Sequence, residues 1–410
     1  MRVVAVGTVR FALVLWFAVS GLAAQTTRDS AGIQIVDNAR PTWAPDRQWR
    51  LSERPIFDIG GATSPDQEFG RIVDVIRLSD GRIVVGDGDS YRLSFYDASG
   101  RQLLSVGGRG QGPGELRDFH AITRLPGDSI AVEMTRGATI FAPNGAFVRN
   151  VQFGPLPAGA LQMPMVAALD RFDNGTAVVL DYPQGERRPA GARQWIDSSS
   201  LFLVDATGAV VRRLGTTPVV IFTAGAQHPS PMELGPQIVH ASSGRAIYLG
   251  FSNEFAIRVY DPDWKLQRII RRAWTPRRLT RTEIDGYVDG WMAMWSRKTG
   301  AEREAERREM RDDTYPEVVP AYAAILATPT GEIWVREPDL TGAPGCWCLA
   351  GMPTVQSKWS VFDPTGRWLG DVSMPARFIP LEVGADYVLG RSRGADDVPH
   401  AVMYRLEKPR

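Results

Sequence analysis

A pair of turns recurs along this chain at uneven intervals, and that pairing limits the fold more than any other feature. The first turn follows an apolar run and places a glycine before a β-rich run. It reads Leu78-Ser79-Asp80-Gly81-Arg82-Ile83-Val84-Val85 and returns around Gly127, Gly175, Gly244, Gly331 and Gly384, six in all. The second turn joins two strands through Asp-x-x-Gly. It reads Phe95-Tyr96-Asp97-Ala98-Ser99-Gly100, Val204-Asp205-Ala206-Thr207-Gly208 and Val361-Phe362-Asp363-Pro364-Thr365-Gly366. Weaker copies are Phe141-Ala142-Pro143-Asn144-Gly145 and Val259-Tyr260-Asp261-Pro262-Asp263. Asp bonds its own backbone and Gly accepts φ > 0, so both suit tight hairpins. The second turn trails the first by 15 to 17 residues in three units and by about 30 in two. Each unit is therefore a meander of up to four strands.

The sixth unit ends in the strand Ala401 to Leu406 and has no second turn. Near the N-terminus, Ile56-Phe57-Asp58-Ile59-Gly60-Gly61 resembles Leu103-Leu104-Ser105-Val106-Gly107-Gly108, the fourth strand of the first unit. An N-terminal strand completing the last unit closes a ring and removes exposed edges. The expected architecture is an all-β, six-bladed β-propeller over residues 45–408, closed by that strand. A pair of β-sandwiches is the competing arrangement, and six paired turns in register argue against it.

Residues Ile83 to Gly88, then Asp89-Ser90-Tyr91-Arg92-Leu93, Asp97 to Gly100 and Val106-Gly107 resemble an NHL repeat: strand, Asp, Arg, strand, Asp-x-x-Gly, strand, Gly. The following Gly108-Arg109-Gly110-Gln111-Gly112-Pro113-Gly114-Glu115 resembles the Gly-rich segment of bacterial exported six-bladed propellers of unassigned function. The match is good over residues 70–120 and architectural elsewhere. Ser90 stands where NHL repeats favour Asn, and units three to six lose the Asp and Arg. The resemblance implies a propeller and an extracytoplasmic binding role; it carries no catalytic residues.

The first residues give an address. Arg2 and Arg10 precede the apolar run Phe11 to Val19 and the small residues Gly21 and Ala23. That order describes a secretory signal peptide over 1–24, with an uncleaved anchor as the alternative, followed by a linker over 25–44. The apolar run is short for spanning a bilayer, and no later stretch is long and apolar enough to do so. A periplasmic or extracellular location follows. Lys plus Arg total 47 against 46 Asp plus Glu, a net charge of +1, so an electrostatic nucleic-acid partner is not expected. The two cysteines, Cys346 and Cys348, are one residue apart. They read first as structural or incidental; a disulfide between them would close a small strained ring, and as metal ligands they make half a zinc site.

All the long insertions fall in second-to-third-strand loops and inter-blade connections, which share one face of a propeller. Long loops on one rim of a rigid scaffold are where binding sites usually sit. The largest insertion, 276–315, is expected to be helical. Thr280-Arg281-Thr282-Glu283 forms a capping box, and Ile284, Tyr287, Val288, Trp291 and Trp295 fall on one helical face that Gly300 would end. That stripe either packs on the propeller or offers Trp291 or Trp295 to a ligand.

Residues seven before each first-turn glycine sample the inner strands at one height: Asp74, His120, Ala168, Gln237, Ala324 and Arg377. The polar members Asp74, His120, Gln237 and Arg377 are candidates for a channel mouth, or alternatively form a satisfied polar plug. Arg109 and Trp347 join Trp291 and Trp295 as candidate anchors on the loop-rich face. Gly108 to Gly114 lacks the Gly-Lys-Ser/Thr ending of a phosphate loop, and neither Gly-x-Ser-x-Gly nor His-Glu-x-x-His occurs. The function expected is a binding module for a protein, peptide or glycan, with no catalytic residue, metal or cofactor assigned. The alternative is a metal-dependent lactonase or esterase at the channel mouth, which would need Ca²⁺ and several oxygen ligands.

Overall fold

The second strand of each unit is apolar almost throughout, and burial explains why. Ile83–Asp87, Ile130–Met134, Ala177–Asp181, Ile247–Phe251 and Ile333–Arg336 are buried at every residue. Each lies between two strands of its own sheet and is covered on both faces by neighbouring sheets, so it shows no polar alternation. The computed structural model describes residues 24–409, except 62–67, 156–165, 182–187, 225–228, 341–342, 346–347, 354 and 395–396. The expected signal residues 1–23, Cys346 and Trp347 lie outside the described residues.

The chain forms six antiparallel blades around an axis. Blade one runs Ile72–Arg77, Ile83–Asp87, Arg92–Tyr96 and Gln102–Gly107, paired in that order. Blade two begins at Phe119–Arg124, blade three at Val166–Arg171, blade four at Ile238–Ser242 and blade five at Ala324–Ala327. Blade six has Phe378–Val383, Tyr387–Arg393 and Pro399–Glu407 from the C-terminus, and its fourth strand is Phe57–Gly60. That strand pairs antiparallel with the last one, His400 opposite Gly60 and Met403 opposite Phe57. At Gly60 the approach is close: a Cβ would lie 2.5 Å from the Pro399 carbonyl oxygen.

The Asp-x-x-Gly turns repeat as one hydrogen-bonded cage. Asp97 Oδ1 accepts from the Ser99 amide at 3.0 Å, the Ser99 hydroxyl at 2.6 Å and the Arg101 amide at 3.1 Å. Asp205 and Asp363 accept from Thr207 and Thr365 in the same way. These bonds favour the carboxylate and hold Asp97 well below the usual range.

The core is divided into wedges between blades. Leu93, Ile122 and Val132 fill the wedge between blades one and two, and Ile257, Tyr322 and Val335 that between four and five. Ile59, Val85, Leu389 and Met403 join blade six to blade one across the closure. The wedge between blades two and three is different. Its apolar residues fall in two clusters, Ala131, Ala138, Ile140 and Val151 on blade two and Ala177, Val179, Phe202 and Val204 on blade three, and a buried ion pair crosses it. Arg171 Nε donates to Glu133 at 2.6 Å and its Nη2 at 3.0 Å, with both side chains almost fully enclosed.

The stretch 25–44, read from the sequence as a linker, holds a hairpin, Gln25–Ser30 with Ile33–Asn38. Its second strand pairs in parallel with Leu266–Arg272, the outer strand of blade four. From there the chain crosses blade five, where the Thr42 and Trp43 amides donate to the Leu369 carbonyl at 3.0 and 2.7 Å. Arg50–Leu51 then pairs with the last strand of blade six. Residues 25–60 thus form a belt over the outer edges of three blades. Asn38 fastens it: its side chain donates to the carbonyls of Arg271 at 2.9 Å and Gly366 at 3.0 Å and accepts from the Trp368 amide at 2.9 Å.

The helical insertion joins blades four and five. Helix α1 is Arg281–Met294 and opens on the expected capping box: the Glu283 amide donates to Thr280 Oγ1 at 3.3 Å and the Thr280 amide to Glu283 Oε2 at 2.9 Å. Helix α2 is Gly300–Arg311. Gly300 therefore starts the second helix, whereas the sequence suggested that it ends the first. Salt bridges from Arg311 to Asp285 at 2.9 Å and Lys298 to Glu306 at 3.1 Å brace the pair. Among the described residues no helix is long and apolar enough to cross a membrane.

Candidate functional site

First strands line the axis of a propeller, so a polar residue that breaks their apolar run faces either the axial channel or a neighbouring blade. Here first strands of all six blades enclose a channel of about 1030 Å³. Asp74, His120 and Gln237 all line it, as does Ala168. Asp74 is lodged in the wall, where its carboxylate accepts from the Ile122 amide of blade two at 2.8 Å and the Val75 amide at 2.9 Å. Removal from bulk water outweighs those bonds and pushes its pKa up to about 7, with a further push from Glu382. Burial likewise raises Glu382, which accepts from the Tyr387 hydroxyl and the Arg77 amide.

Arg377 is placed elsewhere. It sits just before blade six's first strand with a φ of +58°, and its guanidinium donates to the Arg393 carbonyl at 3.0 Å and Asp397 at 2.9 Å. The seven-residue ruler slips because first strands carry bulges. Register shifts fall between Ile72 and Asp74, between Ala168 and Asp170, and between Pro380 and Glu382.

Two of those bulges also hide channel residues, Asp170 and Glu382, from strict alternation. Asp170 and His240 both line the channel, on adjacent blades three and four. His240 Nδ1 lies 2.8 Å from Asp170 Oδ2, and the imidazole keeps 35% of its surface open. Glu382, Arg124 and the Glu133–Arg171 pair add to the charged lining, with Asp128, Asp173 and Arg245 towards the short-turn end. The only sequence signal for them is polarity inside apolar strands. Among the described residues no group of three or more His, Cys, Asp or Glu side chains is placed to hold a metal ion.

Height within the channel follows from strand register. Asp74 pairs with Gly86, the fourth residue of its blade's second strand, and His240 pairs with Leu249, the third residue of its own. One residue of strand is about 3.3 Å. Blades one and four are opposite in a ring of six, so the two side chains sit on facing walls at nearly one height.

The loop-rich face surrounds one end of this channel. The Gly-rich segment, the long strands of blade three, the helical pair and a short hairpin (Ala343–Gly345 with Cys348–Met352) are all inserted on that side. Arg109 stacks over Tyr91 at 5.5 Å, which anchors the Gly-rich segment. Trp291 packs with Tyr287, Val288 and Met292 against Leu234 and Val319. Trp295 stays 47% exposed. The helical stripe therefore packs on the propeller, apart from its last residue.

No protein-family model matches the chain, and no curated protein matches it. Solved structures do. A member of the DUF4221 family from Bacteroides vulgatus superposes with a TM-score of 0.50 at 10% identity, covering 88% of this chain and 99% of that one. A protein from Bacteroides fragilis, named as exported, also gives 0.50 at 10% identity, covering 92% and 100%. At that identity the likeness is one of fold: both chains run alongside the whole propeller.

Proposed function

We propose that this protein is an exported binding propeller that recognises a peptide, protein or glycan segment at the loop-rich mouth of its channel. The observation that supports it best is the one-sided placement of every long insertion around that opening. His120 and Gln237 stand at this end of the channel with free hydrogen-bonding capacity, and exposed Trp295 offers an aromatic face on the same side. Sugars and peptides both pair polar groups with apolar edges, which suits that mixture. A periplasmic or extracellular location fits the sequence of residues 1–24. The metal-dependent alternative has no assembled donor group behind it among the described residues.

Calorimetric titration of the purified protein against a panel of soluble oligosaccharides and peptides tests the reading. A ligand of this site binds the native protein and binds the His120→Ala, Gln237→Ala double variant about tenfold more weakly, the equivalent of roughly 1.4 kcal/mol. A ligand whose affinity is the same for both proteins places the site elsewhere.

A further inference from the structure

The channel wall holds a second arrangement, deeper than the mouth. His240 is held through Nδ1 by Asp170 at 2.8 Å, which leaves Nε2 as the ring's other polar atom. Across the channel, Asp74 lines the opposite blade at nearly the same height, its carboxylate held by the Ile122 and Val75 amides. A proton acceptor and a carboxyl thus flank one cavity large enough for a small polar molecule. We propose that this channel hydrolyses a carboxylic ester of a small polar molecule or glycan, with His240 as general base, Asp74 as general acid and Asp170 positioning His240. The proposal rests on the binding reading only in that the substrate enters through the same mouth.

The chemistry needs no other reagent than water. The serines that line the channel are committed: Ser242 donates to the Arg171 carbonyl at 3.0 Å and accepts from the Gly244 amide at 2.9 Å, Ser243 accepts from the Ala246 amide at 3.2 Å, and Ser79 donates to Asp128 at 2.5 Å. Attack therefore falls to water. His240 Nε2 takes a proton from that water as its oxygen bonds to the acyl carbon, and the carbonyl π pair moves onto oxygen. When that pair returns, the ester C–O bond breaks, and the leaving alkoxide takes the Asp74 proton. An acid and an alcohol result, and the proton on His240 returns to Asp74 through channel water. Arg124 lines the channel from blade two, where Nη1 donates to the Arg77 carbonyl at 2.9 Å, and its positive charge would favour the oxyanion.

Other groups bear on both residues. Glu382 and Arg391 face Asp74 with opposite effects, and His120 stands near His240. Because Asp74 keeps its proton up to about pH 7, it can donate at neutrality, and the general acid is lost as pH rises through that value.

The test is hydrolysis of p-nitrophenyl acetate and of acetylated xylan by the full chain in EDTA. The native protein is expected to be active, with kcat/KM falling as pH rises through about 7. His240→Ala, or His240→Gln should the alanine variant misfold by circular dichroism, lowers kcat/KM by about 100-fold or more. Asp74→Asn flattens the alkaline limb. Asp170→Asn lowers kcat about tenfold with KM unchanged, the mark of a misaligned base rather than a collapsed site. A folded His240 variant as fast as the native protein, or activity abolished by EDTA, overturns the proposal. Oligosaccharide or peptide binding that survives in His240→Ala keeps the binding reading separate.

Discussion

Asn38 makes three hydrogen bonds with one side chain, and they join the belt to two different blades. Asn38→Ala leaves two buried carbonyls and an amide without partners, at about 1 kcal/mol each. Urea unfolding should show a loss of about 2–3 kcal/mol with an unchanged m-value. Asp74 acts in the other direction. In the folded protein it holds its proton up to about pH 7, and in the unfolded chain only to about 4. Its stabilising contribution is therefore complete below about pH 4 and is lost as pH rises through about 7. An amide cannot ionise, so Asp74→Asn should gain melting temperature relative to the native protein across that window, with the gap widest above pH 7. A gap that stays constant from pH 4 to 8 would exclude this account. At this scale the sequence was partly legible. Asp74, His120 and Gln237 could be placed on the channel by counting from a glycine. Asp170 and Glu382 could not, because a bulge adds a residue without leaving a mark in the pattern of side chains; His240 lies in a regular strand, three residues beyond the position that the count samples.

Among elements, the contact between blades two and three stands apart. Here the apolar residues of blade two (Ala131, Ala138, Ile140, Val151) and of blade three (Ala177, Val179, Phe202, Val204) form two separate clusters, and Arg171 reaches Glu133 across the wedge. Breaking one side of an enclosed ion pair leaves an uncompensated charge. Arg171→Met should cost about 3–5 kcal/mol, whereas Arg171→Met with Glu133→Leu should recover most of that loss; denaturant melts of the single and double variants measure the difference. Meander turns were legible because Asp and Gly act through local bonds. The capping box was legible for the same reason, since Thr280 and Glu283 are three residues apart. Gly300 was not, because a glycine between two helices serves equally as the end of one or the start of the next.

At the scale of the molecule, the count of six and the closing strand were written in the repeats, because the last unit lacks a strand that residues 56–61 match. The belt was not legible. Its hairpin bonds mainly to backbone of a strand more than two hundred residues away, and parallel addition to an outer edge imposes no side-chain pattern of its own. Removing residues 25–60 exposes the edges of Leu266–Arg272 and Pro399–Glu407. Exposed edges template association. The truncated protein should elute as aggregate in size-exclusion chromatography, while removal of 25–38 alone should leave a monomer of lowered stability.

The belt also fixes an order of events. Residues 25–60 leave the ribosome before any of the strands they dock on, and the docking partners of Phe57–Gly60, His400 to Met403, are made about 340 residues later. Blades one to three can assemble as they emerge, but the ring cannot lock until Pro399–Glu407 has emerged. A nascent chain stalled at residue 380 should therefore remain sensitive to protease at its N-terminal segment, and should lose that sensitivity only once the remaining thirty or so residues are added.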